Sequence, residues 1–394
     1  LKTLKKKILA SCTCLCGYLL AASPASALNG PQSIEIDGGP LGSVNFSGGV
    51  DGFGYYITGT GSKEACNVDI YCLLGDKPAG ILAGNYLFSL QKTTGKVQFT
   101  LQVGATSSFS LGTQPYEASF DGITPLYESY ISIVPNSQWT ISAGQIPSQE
   151  GYEALPDWTN ANMLASLLYY TQNTVSRGAL VSYTNVFDTI NATVEFSDGY
   201  RTGVFNYLQY LLGYNFASGV YVDTYGGINT GVSGLNTTGA YGPTSEYAAL
   251  YNSSMVGAYV GGFTTAQGNL SLVPEVQFQW VKANAKLGID KESQNLGLLL
   301  LTQYNFGQSP YSIGGFLEYA VTHGTSNTWF IGPNAAAVGV SVAPTWQHRN
   351  LFARVNFGYM YLTNNKADGV SYGYGSNNDG KAQFTGVLEG GVTF

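Results

Sequence analysis

Phe384, Gly386, Leu388, Gly390, Val392 and Phe394 occupy every second position at the end of this sequence, with Thr385, Val387, Glu389, Gly391 and Thr393 between them. A period of two sends alternate side chains to opposite faces of an extended strand. One such run constrains little, but the pattern recurs along most of the chain. Val97, Phe99, Leu101 and Val103 alternate with Gln98, Thr100 and Gln102, and Ile190, Ala192, Val194 and Phe196 with Asn191, Thr193 and Glu195. Val276, Phe278 and Trp280 oppose Glu275, Gln277 and Gln279. Tyr311, Ile313, Leu317 and Tyr319 oppose Ser312, Gly314 and Glu318, and Leu351 to Tyr361 oppose Arg354 and Asn356. Each run reads as a strand with one oily and one wet face.

Sixteen such strands are expected, at 44–58, 81–91, 96–105, 126–133, 138–144, 178–185, 189–199, 207–216, 219–227, 254–264, 270–282, 296–306, 310–321, 335–346, 351–362 and 383–394. The connections alternate between short turns and longer loops, the pattern of an antiparallel up-and-down barrel with short periplasmic turns and long outer loops. The longest aliphatic run beyond the amino-terminal region, Leu298 to Leu301, is far too short for a membrane helix. A chain that spans lipid without helices does so as a closed barrel, because lipid offers no hydrogen-bond partner to an open sheet edge. The expected fold is therefore all-β, a transmembrane β-barrel in a bacterial outer membrane. The many aromatics at strand ends, among them Tyr214, Phe216, Trp280, Tyr304, Phe306, Trp346 and Phe394, suit the two interfacial belts of such a barrel.

The amino-terminal region reads as a secretory signal. Lys2, Lys5, Lys6 and Lys7 precede an apolar stretch from Ile8 to Ala22, and Ala25-Ser26-Ala27 is a small-residue cleavage site. Residues 1–27 are the expected signal and 28–394 the barrel. Of seventeen basic and twenty-four acidic residues, the signal takes four lysines and no acid, which leaves a net charge of −11. A chain this acidic has no electrostatic basis for binding nucleic acid. Cys66 and Cys72 are the cysteines that stay, an even pair in an exported protein and hence an expected small-loop disulfide.

Catalytic chemistry is poorly supplied. His323 and His348 both fall at expected loops or turns, without a nucleophile and orienting acid beside them. No cluster has metal-ligand spacing, and no cofactor is expected. Chemistry is instead expected on the inner wall, where charged side chains set a local field. The connection 145–177 is long and mixed in polarity, and Ala161 to Tyr170 within it suits a short helix. If folded inward it becomes a pore-constricting loop that brings Glu150, Glu153 and Asp157 to the narrowing. Glu195, Glu275 and Glu318 add acid from the strands, and Arg177 and Arg354 form the opposing basic wall.

The stretch 139–206 carries Trp139-Thr-Ile-Ser-Ala-Gly-Gln145, Gly151-Tyr152-Glu153, Asn160 or Asn162, Ser176-Arg177-Gly178-Ala179 and Ser197-Asp198-Gly199-Tyr200. With Val273-Pro274-Glu275-Val276-Gln277 and Ala343-Pro344-Thr345-Trp346-Gln347, it resembles the OmpL-like family of β-barrel porins over nearly all of 28–394. It departs from that pattern at Thr174, where a proline is expected. The resemblance implies an outer-membrane pore for ions or small hydrophilic solutes. The acidic balance adds a weak preference for cations. Expected partners are outer-membrane lipid, the barrel-assembly machinery through the closing strand that ends on Phe394, and two further copies in a homo-trimer. The alternative expectation is a non-conducting surface barrel, an adhesin or structural protein that binds through its loops.

Overall fold

The structure, a computed structural model, describes residues 28, 33–60, 77–118, 125–265, 268–324, 331–367 and 370–394. Sixteen antiparallel strands close into one barrel: β1 (Ser43–Ile57), β2 (Ala79–Lys92), β3 (Val97–Ala105), β4 (Leu126–Asn136), β5 (Trp139–Pro147), β6 (Val175–Thr184), β7 (Ile190–Ser197) and β8 (Tyr207–Asn215), then β9 (Tyr221–Asn229), β10 (Ser254–Gly261), β11 (Leu270–Val281), β12 (Ser293–Asn305), β13 (Tyr311–His323), β14 (Ala336–His348), β15 (Leu351–Asn364) and β16 (Ala382–Thr393). All sixteen expected strands occur, and no end is displaced by more than three residues. Each strand pairs with its neighbours in sequence, and β1 closes on β16 in the register Gly49↔Thr393 to Ile57↔Thr385. A short strand, Ile34–Asp37, pairs with the start of β1 below this seam. The expected signal 1–27 and the pair Cys66 and Cys72 lie outside the described residues.

The two-residue period maps onto two environments. On β12, Leu298 and Leu300 point outward and are exposed, whereas Leu299 and Leu301 point inward and are buried. On β11, Ser271, Glu275, Gln277 and Gln279 are buried inside while Val276 lies on the outer face. Aromatic pairs mark the short-turn end of the wall: Tyr214 and Phe216 at 4.8 Å, Tyr304 and Phe306 at 5.1 Å, Trp139 and Tyr183 at 4.8 Å, and Phe46 and Phe394 at 5.6 Å. Phe278 with Trp280 and Phe357 with Phe384 sit toward the long-loop end. Rings at these two levels match the headgroup depths of a bilayer. Among the described residues no helix is long and apolar enough to cross a membrane.

The interior is not an empty cylinder. Phe109 and Ser110, from the connection after β3, pair in parallel with Leu164 and Ala165, from the connection after β5. Leu164, Leu167 and Leu168 pack with Phe109, Leu111, Val273, Leu299, Leu301, Phe316 and Met360 in one buried apolar cluster inside the wall. Each fully buried leucine of this kind contributes about 1.5–3 kcal/mol.

Candidate functional site

The site is built by the stretch 148–174, which leaves β5 at Pro147 and rejoins the wall at Val175. Instead of rising into an outer loop, it folds against inward-facing side chains of strands across the barrel. Ser148 Oγ donates to Gln209 on β8 at 2.8 Å. Gln172 donates to Gln277 and Glu275 on β11 at 2.8 and 3.3 Å. The Leu167 backbone N–H donates to Glu318 on β13 at 2.7 Å, and the Leu164 N–H to Asn356 on β15 at 3.0 Å. Ser341 on β14 bonds Asn162 at 3.3 Å, and Arg354 on β15 donates to the Asn160 carbonyl at 2.9 Å. The helix expected between Ala161 and Tyr170 is a single turn, α1 (Leu167–Tyr170). Ser166 caps it, accepting from Tyr169 N, and the wall carboxylate of Glu318 takes a further free N–H.

Two wall glycines make the close approach possible. A Cβ on Gly314 would lie 2.0 Å from the Ala161 carbonyl oxygen, and one on Gly358 2.4 Å from a Leu111 methyl. The inner wall is thin where the chain crosses it.

The three acids expected at a narrowing are all buried on this stretch. Glu150 accepts from the Asn173 N–H at 2.8 Å and from the Tyr207 hydroxyl at 2.7 Å. Burial pushes its carboxyl up to about 7, against the pull of those two hydrogen bonds. Glu153 accepts from the backbone N–H and hydroxyl of Ser166, and burial, helped by nearby Glu275, pushes it up to about 8. Asp157 is raised by burial first, then by the charges of Glu389 and Asp51, while Arg354 opposes the shift.

The strand acids also face inward. Glu195 accepts from Gln209 at 3.1 Å, and Glu275 from the Tyr225 hydroxyl at 2.5 Å. The two arginines do not form a shared basic wall. Arg354 is wholly buried, with Nε 2.7 Å from Glu389 Oε2 and Nη2 3.8 Å from Asp157 Oδ1. Arg177 shares a strand face with Val181, which is the outer one, and its half-exposed side chain pairs with Asp198 at 2.7 Å and donates to the Arg201 carbonyl. The reason is parity: β6 begins at Val175, so position 177 falls inside the strand on its outward face.

Asp51 also faces the site, and it is not among the residues expected there from the sequence. It sits at a register shift between Val50 and Gly52, where β2 offers an extra residue, and its carboxylate accepts from Asn85 N and Nδ2 at 2.9 and 3.0 Å. The alternation it shares with Phe53 and Tyr55 carried the signal. Leu28, the first residue after the expected cleavage point, is buried in a cluster with Leu87, Tyr127, Trp158, Val175 and Phe352.

A closed sixteen-stranded antiparallel barrel with an inward-folded segment and a polar, acid-rich inner wall is the architecture of an outer-membrane porin. The chain belongs to the family described as "Putative beta-barrel porin-2, OmpL-like", whose pattern matches residues 43–394, and its place is the bacterial outer membrane. In structure it is similar to the outer membrane channel DcaP of Acinetobacter baumannii, with a TM-score of 0.57 at 10% identity over 89% of this chain and 97% of that one. It is similar to OmpT of Vibrio cholerae, with a TM-score of 0.55 at 11% identity over 90% and 98%. An anion-selective porin from Comamonas acidovorans matches with a TM-score of 0.53 at 13% identity over 89% and 99%. No curated protein matches the chain in sequence.

Proposed function

We propose that the barrel is a passive diffusion channel for ions and small hydrophilic solutes, narrowed by the segment 148–174 and weakly cation-preferring. One observation carries this reading. Inside the barrel, Asp51, Glu150, Glu153, Asp157, Glu195, Glu275, Glu318 and Glu389 are buried, and Arg354 is the single buried base among the described residues. In the ionised form, which Glu150 and Glu153 take on as pH climbs through about 7 and about 8, these acids attract cations and repel anions, so the preference grows with pH over that window. The neighbour from Comamonas acidovorans is described as anion-selective; the acid excess here sets the opposite expectation. In this reading the closing strand ending on Phe394 is recognised by the barrel-assembly machinery, residues 1–27 are removed, Cys66 bonds Cys72, and three barrels assemble side by side.

The apolar packing of Leu164, Leu167 and Leu168 against the inner wall favours a second reading, a barrel whose lumen stays shut and whose outer loops bind. Planar-bilayer recording of refolded 28–394 under a salt gradient decides. The channel reading gives conductance steps and a reversal potential on the cation side, which moves toward zero in Glu150→Gln/Glu153→Gln/Asp157→Asn. An anion-side reversal rejects the preference, and the absence of steps rejects the channel.

A further inference from the structure

The inner wall from β7 to β11 carries a row of side chains that the passage of simple ions leaves unused. Asn191, Gly213, Asp223, Tyr259 and Glu275 are cross-strand partners in succession, so they share one level of the inner face. The row holds two carboxylates and no base. Asn191 and Asp223 are only half-buried, unlike the acids of the inward segment.

Tyrosines gather on this row. Tyr259 donates its hydroxyl to Asp223. Tyr152 of the segment donates its backbone N–H to Glu275, and its ring stands at 74° to that of Tyr259 with centroids 5.2 Å apart. Tyr221, the first residue of β9, stands at 86° to Tyr259 with centroids 6.3 Å apart, and its hydroxyl meets that of Tyr152. Glycines on the neighbouring strands make room for these groups. A Cβ on Gly261 would lie 2.1 Å from Tyr221 Cζ, and one on Gly213 2.3 Å from Asp223 Oδ1. Neither glycine has a positive φ, so what they supply is space on the wall and not backbone freedom. Tyr221 therefore lies along the wall over Gly261 and stays half-exposed. An aromatic face and a carboxylate, two residues apart on one strand, are both laid against the wall and open to the bore.

We propose that Tyr221, Asp223, Tyr152 and Tyr259 form a binding subsite for small organic cations, of the quaternary ammonium and protonated amine class. A ring face attracts a cation through its quadrupole, and more strongly when the cation gives up its water. The adjoining carboxylate adds a full opposite charge. An organic ammonium ion gains from both at once, a neutral sugar forgoes the charge, and an anion is repelled. The subsite rests on the proposed channel and deepens it by naming a class of solute for it. Tyr152 brings the segment to the subsite, so a bound cation sits beside the narrowing.

Calorimetric titration of choline chloride into refolded 28–394 in detergent, against sodium chloride at equal ionic strength, tests the assignment. The expected result is one saturable choline site per chain that D-glucose does not displace. Tyr221→Leu and Asp223→Asn should each weaken it about fivefold or more. Tyr221→Phe, which keeps the ring and loses the hydroxyl, should stay within about twofold of the parent, and Asp290→Asn, in an outer connection, should leave it unchanged. Heat-modifiable gel mobility confirms that each variant has formed its barrel. The absence of a saturable site, or equal affinity in the parent, Tyr221→Leu and Asp223→Asn, overturns the proposal. So does a loss in Tyr221→Phe as large as in Tyr221→Leu, because the hydroxyl and not the ring face would then hold the ligand. Displacement by D-glucose overturns the cation class. Calorimetry reads the subsite whether or not the barrel conducts, and bilayer recording without choline reads the channel, so the two failures are distinguishable.

Discussion

Arg354 shows how much a single residue carries here. Its side chain is fully buried and bonds Glu389 on the neighbouring strand and the Asn160 carbonyl on the inward segment. Removing one partner from a buried ion group leaves unbalanced charge behind, so Arg354→Met should cost about 3–5 kcal/mol. Guanidinium unfolding of the refolded barrel measures it, and a loss below about 1 kcal/mol would mean that the acids are already neutral. The buried acids of the segment set a second expectation. Glu150 and Glu153 are raised to about 7 and about 8. A carboxyl whose folded value lies above its unfolded one favours the folded state in its protonated form. Its contribution is present at low pH and is lost as pH climbs from about 5 through 7 to 8. Unfolding midpoints should therefore fall over that window, and Glu150→Gln with Glu153→Gln should flatten the slope; a slope equal to the parent's would contradict it. At this scale the sequence was legible where a residue sat well inside an alternating run. Glu275, Glu318 and Arg354 were placed by parity alone. Arg177 was not, because the strand begins at Val175, two residues before it and three before the expected start at 178, and that decides which face it takes.

Elements divide in the same way. The strands follow from local alternation, and each reports its own two faces. The seat of the inward segment does not follow from any local pattern. The Leu164 N–H finds Asn356, and the Leu167 N–H finds Glu318, partners 192 and 151 residues away. That 145–177 differs from the other connections was visible in its length and mixed polarity. That the connection after β3 also turns inward, with Phe109 and Leu111 beside Leu164 and Ala165, was not. The wall glycines are part of the element's seat. Gly314→Leu places side-chain atoms where the Ala161 carbonyl now lies, 2.0 Å from the first added carbon. The outward faces of β13 are untouched by this change, so the barrel should still form while the segment is expelled. Limited proteolysis should then cut within 148–174 in the variant and spare the parent. Equal protection in both would show that the segment does not depend on that seat.

The whole molecule joins two surfaces written into adjacent positions of the same strands. Outward Leu298, Leu300, Val338 and Val340 face lipid, and inward Gln277, Gln279, Asn356 and Glu389 line the interior. Closure of β1 on β16 leaves the sixteen-stranded barrel without an open edge, which is the condition for an all-strand protein in a bilayer. Charge acts at this scale too: Glu195→Gln with Glu275→Gln, on β7 and β11, should reduce cation preference additively with neutralisation of the segment, because the field sums over the wall. Reversal potentials of the single and combined variants test it, and a combined shift no larger than the segment's own would confine selectivity to the narrowing. In the proposed channel, 148–174 lies across the passage. Single-channel conductance of refolded 28–394, compared with a variant lacking 152–170, tests it most directly. The account predicts discrete steps in both, several-fold larger in the deletion; steps of equal size would place the segment outside the path and contradict it.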